Sequence, residues 1–226
     1  MNRQEVLKFI QENQNEKLLD FYDKTYQKLN DLNRSIDKLT LYLILTVFVY
    51  FIASGASVSS FQVGPVTISD VSIIIKILPV LFGYLLLDLV IKSLHKGEVF
   101  TVVKLIFLAI YKQDINHKEL ENDRNNLFTR IILPFSYTVE LSKFSTQKLS
   151  VIGGCLGVLL LLPLLSLMVL PFYFEYYMLQ EIYRHYYSNT LGKIAFYLSI
   201  WIMLYVIYYL ITTMMANYKD RKVELT

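Results

Sequence analysis

The chain has 226 residues, 54% of them hydrophobic and 18% charged, with a net charge of +3 and a mean hydropathy of +0.41. A soluble domain averages about 25% charged residues, so this much apolar surface needs lipid or a large assembly to cover it, and the small positive charge suits anionic headgroups better than nucleic acid. The single cysteine, Cys155, excludes an intrachain disulfide and a cysteine-ligated zinc site.

Residues 1–38 are polar and lack Gly and Pro. The opening Met1-Asn2-Arg3-Gln4-Glu5 does not resemble a signal peptide, so the first span is expected to act as the insertion signal. Leu18, Tyr22, Leu29, Leu32, Ile36 and Leu39 recur at heptad spacing, with Thr25 also in the seam. The pattern predicts a helix continuing into the first span. It suits either a short coiled-coil stalk that sets oligomeric state or an amphipathic helix lying on the chain's own cytoplasmic loop.

Four apolar stretches follow: Leu39–Gly55, Val71–Ile91, Leu149–Leu170 and Leu191–Met215. At about 1.5 Å per residue each approaches the roughly 30 Å of a hydrocarbon core. The connection Ala56–Asp70 has no Lys or Arg, whereas Arg34, Lys38, the segment Lys92–Lys148 and Lys219, Arg221 and Lys222 flank the opposite ends. By the positive-inside rule both termini and the central loop lie in the cytoplasm. The expected fold is an all-α integral membrane protein, a four-span transmembrane helical bundle with cytoplasmic amphipathic or interfacial helices, multi-pass in the inner cell membrane.

Between the first two spans, Phe61, Val63, Val66 and Ile68 bracket Gly64-Pro65, the pattern of a small hairpin or turn. Pro79 and Gly83 predict a hinge in the second span. In the cytoplasmic segment 93–148, Val99–Tyr111 is apolar but short for a span and reads as an interfacial or buried helix. Leu127, Phe128, Ile131, Ile132 and Phe135 mark a second such helix, bent at Pro134. The third span opens with Ser150, Gly153, Gly154 and Gly157, small residues at helix-packing spacing. It is expected to end at Pro171, with Phe172, Tyr173, Phe174, Tyr176 and Tyr177 forming an aromatic belt at the outer interface. In the fourth span Tyr197, Trp201, Tyr205, Tyr208 and Thr212 share one helical face.

Lys76 and Asp88 are the charged residues well inside a span, a costly placement that marks them, with His95 beyond, as candidates for an ion path or gate. Both also have structural explanations. Lys76 can extend its amine to the outer interface, and Asp88 can pair with Lys92 one turn on. His95 and His117 read as solvated side chains, and Glu181 with His185 offers two metal ligands without an evident third. No phosphate-binding, dinucleotide, metalloprotease or hydrolase motif is present, so the expectation is a non-enzymatic protein with no cofactor and no metal.

The expected function is a homo-oligomeric membrane protein that forms or gates a pore. The alternative is a membrane anchor or sensor subunit that recruits a soluble cytoplasmic protein through residues 1–38 and 92–148, by analogy with bacterial stress and antiviral defence complexes. Expected partners are the bilayer, further copies of the chain and that soluble protein, with no direct nucleic-acid binding.

Overall fold

The computed structural model describes residues 3–13, 15–55, 61–63, 66–68, 70–110 and 169–223. Two compact units emerge, one from Met1–Asn33 with His95–Val169, the other from Arg34–Leu94 with Leu170–Thr226. The helices are α1 (Arg3–Glu12), α2 (Asn15–Ser54), α3 (Val71–Ile110), α4 (residues 169–181, followed by a π-helical turn Ile182–Tyr186) and α5 (Thr190–Val223). Between α2 and α3 lies a small antiparallel pair, β1 (Phe61–Val63) and β2 (Val66–Ile68). Among the described residues, three helical stretches are long and apolar enough to cross a membrane: α2, α3 and the Thr190–Met215 part of α5.

Helix α2 runs unbroken from a polar half into an apolar one because residues 15–54 contain no Gly or Pro. It stops at Gly55, whose amide bonds to the Phe51 carbonyl at 3.1 Å. Its threonines donate to their own helix: Thr25 to Phe21 O at 2.7 Å, Thr40 to Ile36 O at 2.9 Å and Thr46 to Tyr42 O at 2.8 Å. Those bonds let hydroxyls sit in an apolar helix without an orphaned donor. The strand register pairs Val63 with Val66 across Gly64-Pro65, as the hairpin pattern predicts.

Helix α3 is capped by Asp70, whose carboxylate accepts from the Ser72 amide at 3.0 Å. It then continues for 40 residues, about 60 Å at 1.5 Å per residue, through Pro79, Gly83 and Gly97. Residues 99–110 are continuous with this helix, so the separate interfacial or buried helix expected at Val99–Tyr111 is corrected to the far end of α3, where Val99, Val102, Val103, Leu105 and Ile106 are buried. Pro79 and Gly83, the expected hinge, lie inside the same continuous helix.

In the first unit, Val6 of α1, Leu18 and Leu29 of α2, and Val99, Val102, Val103, Leu105 and Ile106 of α3 are buried together. Phe9 meets Phe21 at 5.0 Å and Tyr22 meets Phe107 at 6.2 Å between ring centroids. The expected oligomerisation seam is therefore corrected at its centre. Leu29 is 0% exposed, and Leu18, Tyr22 and Leu32 lie in or against this intrachain core; only Ile36 stands outside it. Burying a Leu contributes about 1.5–3 kcal/mol, and here the chain's own α1 and α3 supply that burial.

In the second unit the core joins Leu43, Tyr50 and Ala53 of α2, Ile75, Leu78, Phe82 and Leu86 of α3, and Phe174 and Met178 of α4. Phe174 sits among Tyr50, Phe51 and Phe82 at 5.5, 5.8 and 5.2 Å. Of the aromatic run expected to form an outer belt, Phe174 turns into this core while Tyr173, Tyr176 and Tyr177 are exposed. Helix α4 continues past Pro171, and Phe174 lies at the level of Phe82, well inside α3. A four-residue apolar step, Phe174, Met178, Ile182, buries one stripe of α4 and drives that packing.

On α5, Ala195, Ser199 and Val206 are buried, while Tyr197, Trp201, Tyr205 and Tyr208 on the opposite face are exposed. With Leu204, the last three line a shallow apolar groove of about 300 Å³. The helix begins at a tight turn where Asn189 Oδ1 accepts from the Leu191 amide at 3.2 Å and a Cβ at Gly192 would overlap the Tyr186 carbonyl. Ser150, Gly153, Gly154 and Gly157, together with the helix expected around Leu127–Phe135, lie outside the described residues.

Candidate functional site

The site is built where α3, α4 and α5 come together at Gly83. Gly83 of α3 has no side chain, and a Cβ there would lie 3.4 Å from Ile202 Cγ2 of α5 and 3.7 Å from Glu175 Oε1 of α4. Gly83 lies about 18 Å along α3 from Val71 by helical rise. Glu175 is 1% exposed, and neither carboxyl oxygen has a hydrogen-bond partner.

Two further buried polar groups come from the neighbouring helices. Tyr50 of α2 is 0% exposed, with its ring against Phe174 and 6.2 Å from Tyr177, and its hydroxyl has no partner. Ser199 of α5, about one turn before Ile202, is equally covered, and its Oγ is also unpaired. Each such group costs about 1–3 kcal/mol when left unsatisfied.

Nearer the hairpin end of the same unit, Lys76 is 4% exposed. Its ammonium donates to Ser72 Oγ at 3.0 Å and lies 5.0 Å over the Tyr186 ring. Its ammonium thus reaches back one turn toward the start of α3 and is covered there. The aromatic face and the hydroxyl replace water around the charge. Asp70, at the head of α3, is within electrostatic reach of Lys76, and its carboxyl is held below the usual range, chiefly by the Ser72 hydroxyl and amide. Polar contacts thus continue from Asp70 through Ser72 and Lys76 to the Tyr186 ring.

The other candidates from the sequence are accounted for locally. Asp88 is paired with Lys92 at 2.7 Å, both side chains about 30% exposed, which is the structural explanation of that carboxylate. His95 Nδ1 faces Glu98 Oε2 at 3.5 Å, and His185 Nε2 faces Glu181 Oε1 at 3.7 Å. Among the described residues no group of three or more His, Cys, Asp or Glu could hold a metal.

Sequence reasoning missed Glu175, Tyr50 and Ser199. The signal for Glu175 was an acid embedded between Phe174 and Tyr176, one position from the apolar stripe of α4. It went unread because Pro171 suggested that the helix had ended. Comparison with protein families, curated proteins and solved structures gives no match for this chain.

Proposed function

We propose that this chain is a multi-pass inner-membrane protein that forms or gates an ion route as a homo-oligomer, with Glu175 as its ion-handling residue. One observation carries the reading: a carboxyl group covered on all sides, without a partner, where three apolar helices meet. Ionisable groups at membrane depth mark ion and proton pathways, because a bare charge there must find a counter-ion or a proton. Asp88, already paired with Lys92, loses the role to Glu175.

In this reading α2, α3, α4 and α5 are the four crossings, with both termini cytoplasmic. The third crossing is centred near Glu175 and displaced from the Leu149–Leu170 stretch. Two contacts support this: α4 meets α3 at Phe82 and Gly83, then again through Tyr186 at Lys76, so it runs back toward the hairpin end. The exposed apolar side chains of α2, α3 and α5, among them Phe48, Leu81 and Trp201, are then the lipid-facing surface.

The test is flux from liposomes carrying the purified full chain and its Glu175→Gln variant. Flux in the wild type that the variant abolishes is the expected result. Equal flux in both, or none in either, rejects the reading.

One observation favours the anchor alternative. Helix α1, the polar half of α2 and the end of α3 make a separate packed helical unit suited to receiving a soluble protein. Stoichiometric recovery of one soluble partner with the full chain, alongside absent flux, would select that reading.

A further inference from the structure

We infer that a second copy of this chain docks on the outward face of α5, the two α5 helices running parallel about a two-fold axis along the bilayer normal. This rests on the multi-pass homo-oligomer reading above and names the surface through which copies meet.

The face is laid out as a heptad seam. Tyr197, Trp201, Leu204, Tyr208, Ile211 and Met215 follow one another at alternating steps of four and three, and each is 51–66% exposed. Tyr205 on one flank and Ile207 on the other are exposed as well. On the opposite side Ser199 and Val206, one heptad apart, are fully buried in the chain's own packing. Of the three helices able to cross a membrane, α5 is the least covered, 17% buried against 28% and 39%. A seven-residue repeat of large side chains keeps to one line only when two helices wind around each other with a left-handed twist. Lipid imposes no such repeat.

The groove on this face has the form of a receptor for a side chain. Its lining residues, Trp201, Leu204, Tyr205 and Tyr208, stand at i, i+3, i+4 and i+7. Four residues so spaced make the hole into which a facing helix inserts one knob. Copies inserted by the same route share one orientation in the bilayer, so the two-fold axis sets each residue against its own mate at equal depth. Leu204 of each copy is then the knob that enters the other's groove.

The chemistry of the face is self-complementary. From Ile194 to Tyr218 the sequence carries no charged residue, so two copies of the face do not repel. Trp201 stands near the middle of the apolar stretch Thr190–Met215, about 16 Å from its start by helical rise, whereas indole and phenol groups that face lipid gather at the interfaces. Its indole N–H and the hydroxyls of Tyr205 and Tyr208 bond to no described residue, and acyl chains offer no acceptor. A phenol both donates and accepts, so it can pair with its own copy across a two-fold axis. Tyr187 and Tyr197 already pair hydroxyl to hydroxyl in this way, at 2.8 Å within the chain. Of the outward apolar surface, the α5 part thus goes to a second copy, while Phe48 and Leu81 stay with lipid.

The experiment uses the full chain with Cys155→Ser, so that each cysteine added is the only one. The single variants Leu204→Cys, Ile211→Cys, Phe48→Cys and Leu81→Cys, all at exposed positions, are oxidised with copper phenanthroline in vesicles of phosphatidylethanolamine and phosphatidylglycerol. Disulfide-linked dimers should form at least about tenfold faster at Leu204 and Ile211, where each sulfur is held near its mate, than at Phe48 or Leu81, which depend on chance encounter. Equal rates at all four positions, or faster linking at Phe48 or Leu81, overturn the docking face. The unaltered chain supplies a second readout, because Trp201 is its single tryptophan. In vesicles of phosphatidylcholine brominated on its acyl chains, Trp201 fluorescence should be quenched less than that of tryptophan octyl ester. Equal quenching means that acyl chains cover the face, which overturns the inference. Both readouts are taken without flux. Fast linking at Leu204 with no flux rejects the ion route while the docking face stands, whereas flux with slow linking at Leu204 does the reverse.

Discussion

Replacing Glu175 with Met should make the protein more stable while removing its ion-handling group. The carboxyl occupies a site that is 1% exposed, with both oxygens unpartnered, so folding strips its hydration without replacement. The cost of burying such a polar group is about 1–3 kcal/mol. Met has nearly the same length, and its flexible thioether can settle between Gly83 and Ile202 without forcing them apart. A net gain of about 2 kcal/mol corresponds to a rise in Tm of about 4–8 °C for a chain of this size. Glu175→Gln keeps an unsatisfied polar head and should stay within about 0.5 kcal/mol of wild type. The assay is loss of helical circular dichroism on heating the detergent-solubilised proteins, compared at one protein concentration. A lowered Tm for Glu175→Met, with Glu175→Gln unchanged, would mean that the carboxyl is hydrogen-bonded, and the argument for a vacant acid would fail.

Three further outcomes are expected. Gly83→Ala places its methyl at ordinary contact distance from Ile202 and should stabilise α3 by about 0.5–1 kcal/mol, whereas Gly83→Leu should push α5 away and lower Tm; a destabilising Ala would show that Gly83 serves as a hinge after all. Leu29→Ala should cost about 2–5 kcal/mol by opening a cavity beside Val99 and Val103, with the particle mass by light scattering unaltered; loss of oligomers at unchanged stability would restore the coiled-coil seam. Asp70 has a depressed folded value, so its contribution to stability is present above its unfolded value near 3.8 and disappears as pH falls through the folded value. A pH titration of Tm should accordingly show a steeper acid decline for wild type than for Asp70→Ala, and parallel curves would contradict the cap.

Much of the architecture was legible because it follows from periodicity and charge. The long helix through residues 15–54 follows from the absence of Gly and Pro, the hairpin from Gly64-Pro65, and the Asp88–Lys92 pair from its spacing. On α5 the aromatic stripe was recognised but not which side it faced. A helical wheel cannot tell lipid from core when both are apolar, and here Trp201 and Tyr208 point outward while Ser199 points in. The seam at Leu18 and Leu29 illustrates the same degeneracy, since a heptad stripe suits any helical neighbour, including the chain's own α1 and α3. The site itself was hidden by a punctuation error at Pro171. Proline is tolerated near helix starts and in membrane helices, and reading it as a stop moved Glu175 from the middle of the bundle to its rim.

The π-helical turn Ile182–Tyr186 carries one residue more per turn than the α-helix leading into it. That surplus sets the angular phase of everything downstream, because each residue advances an α-helix by about 100°. The tight Gly192 junction then clamps α5 at that angle. Ile202 is thus indexed onto Gly83 by counting residues, and hydrophobicity, nearly uniform around α5, has little say in which side faces inward. A single deletion within the turn would leave composition and hydropathy almost untouched and still bring Met203 to the place that Ile202 now holds.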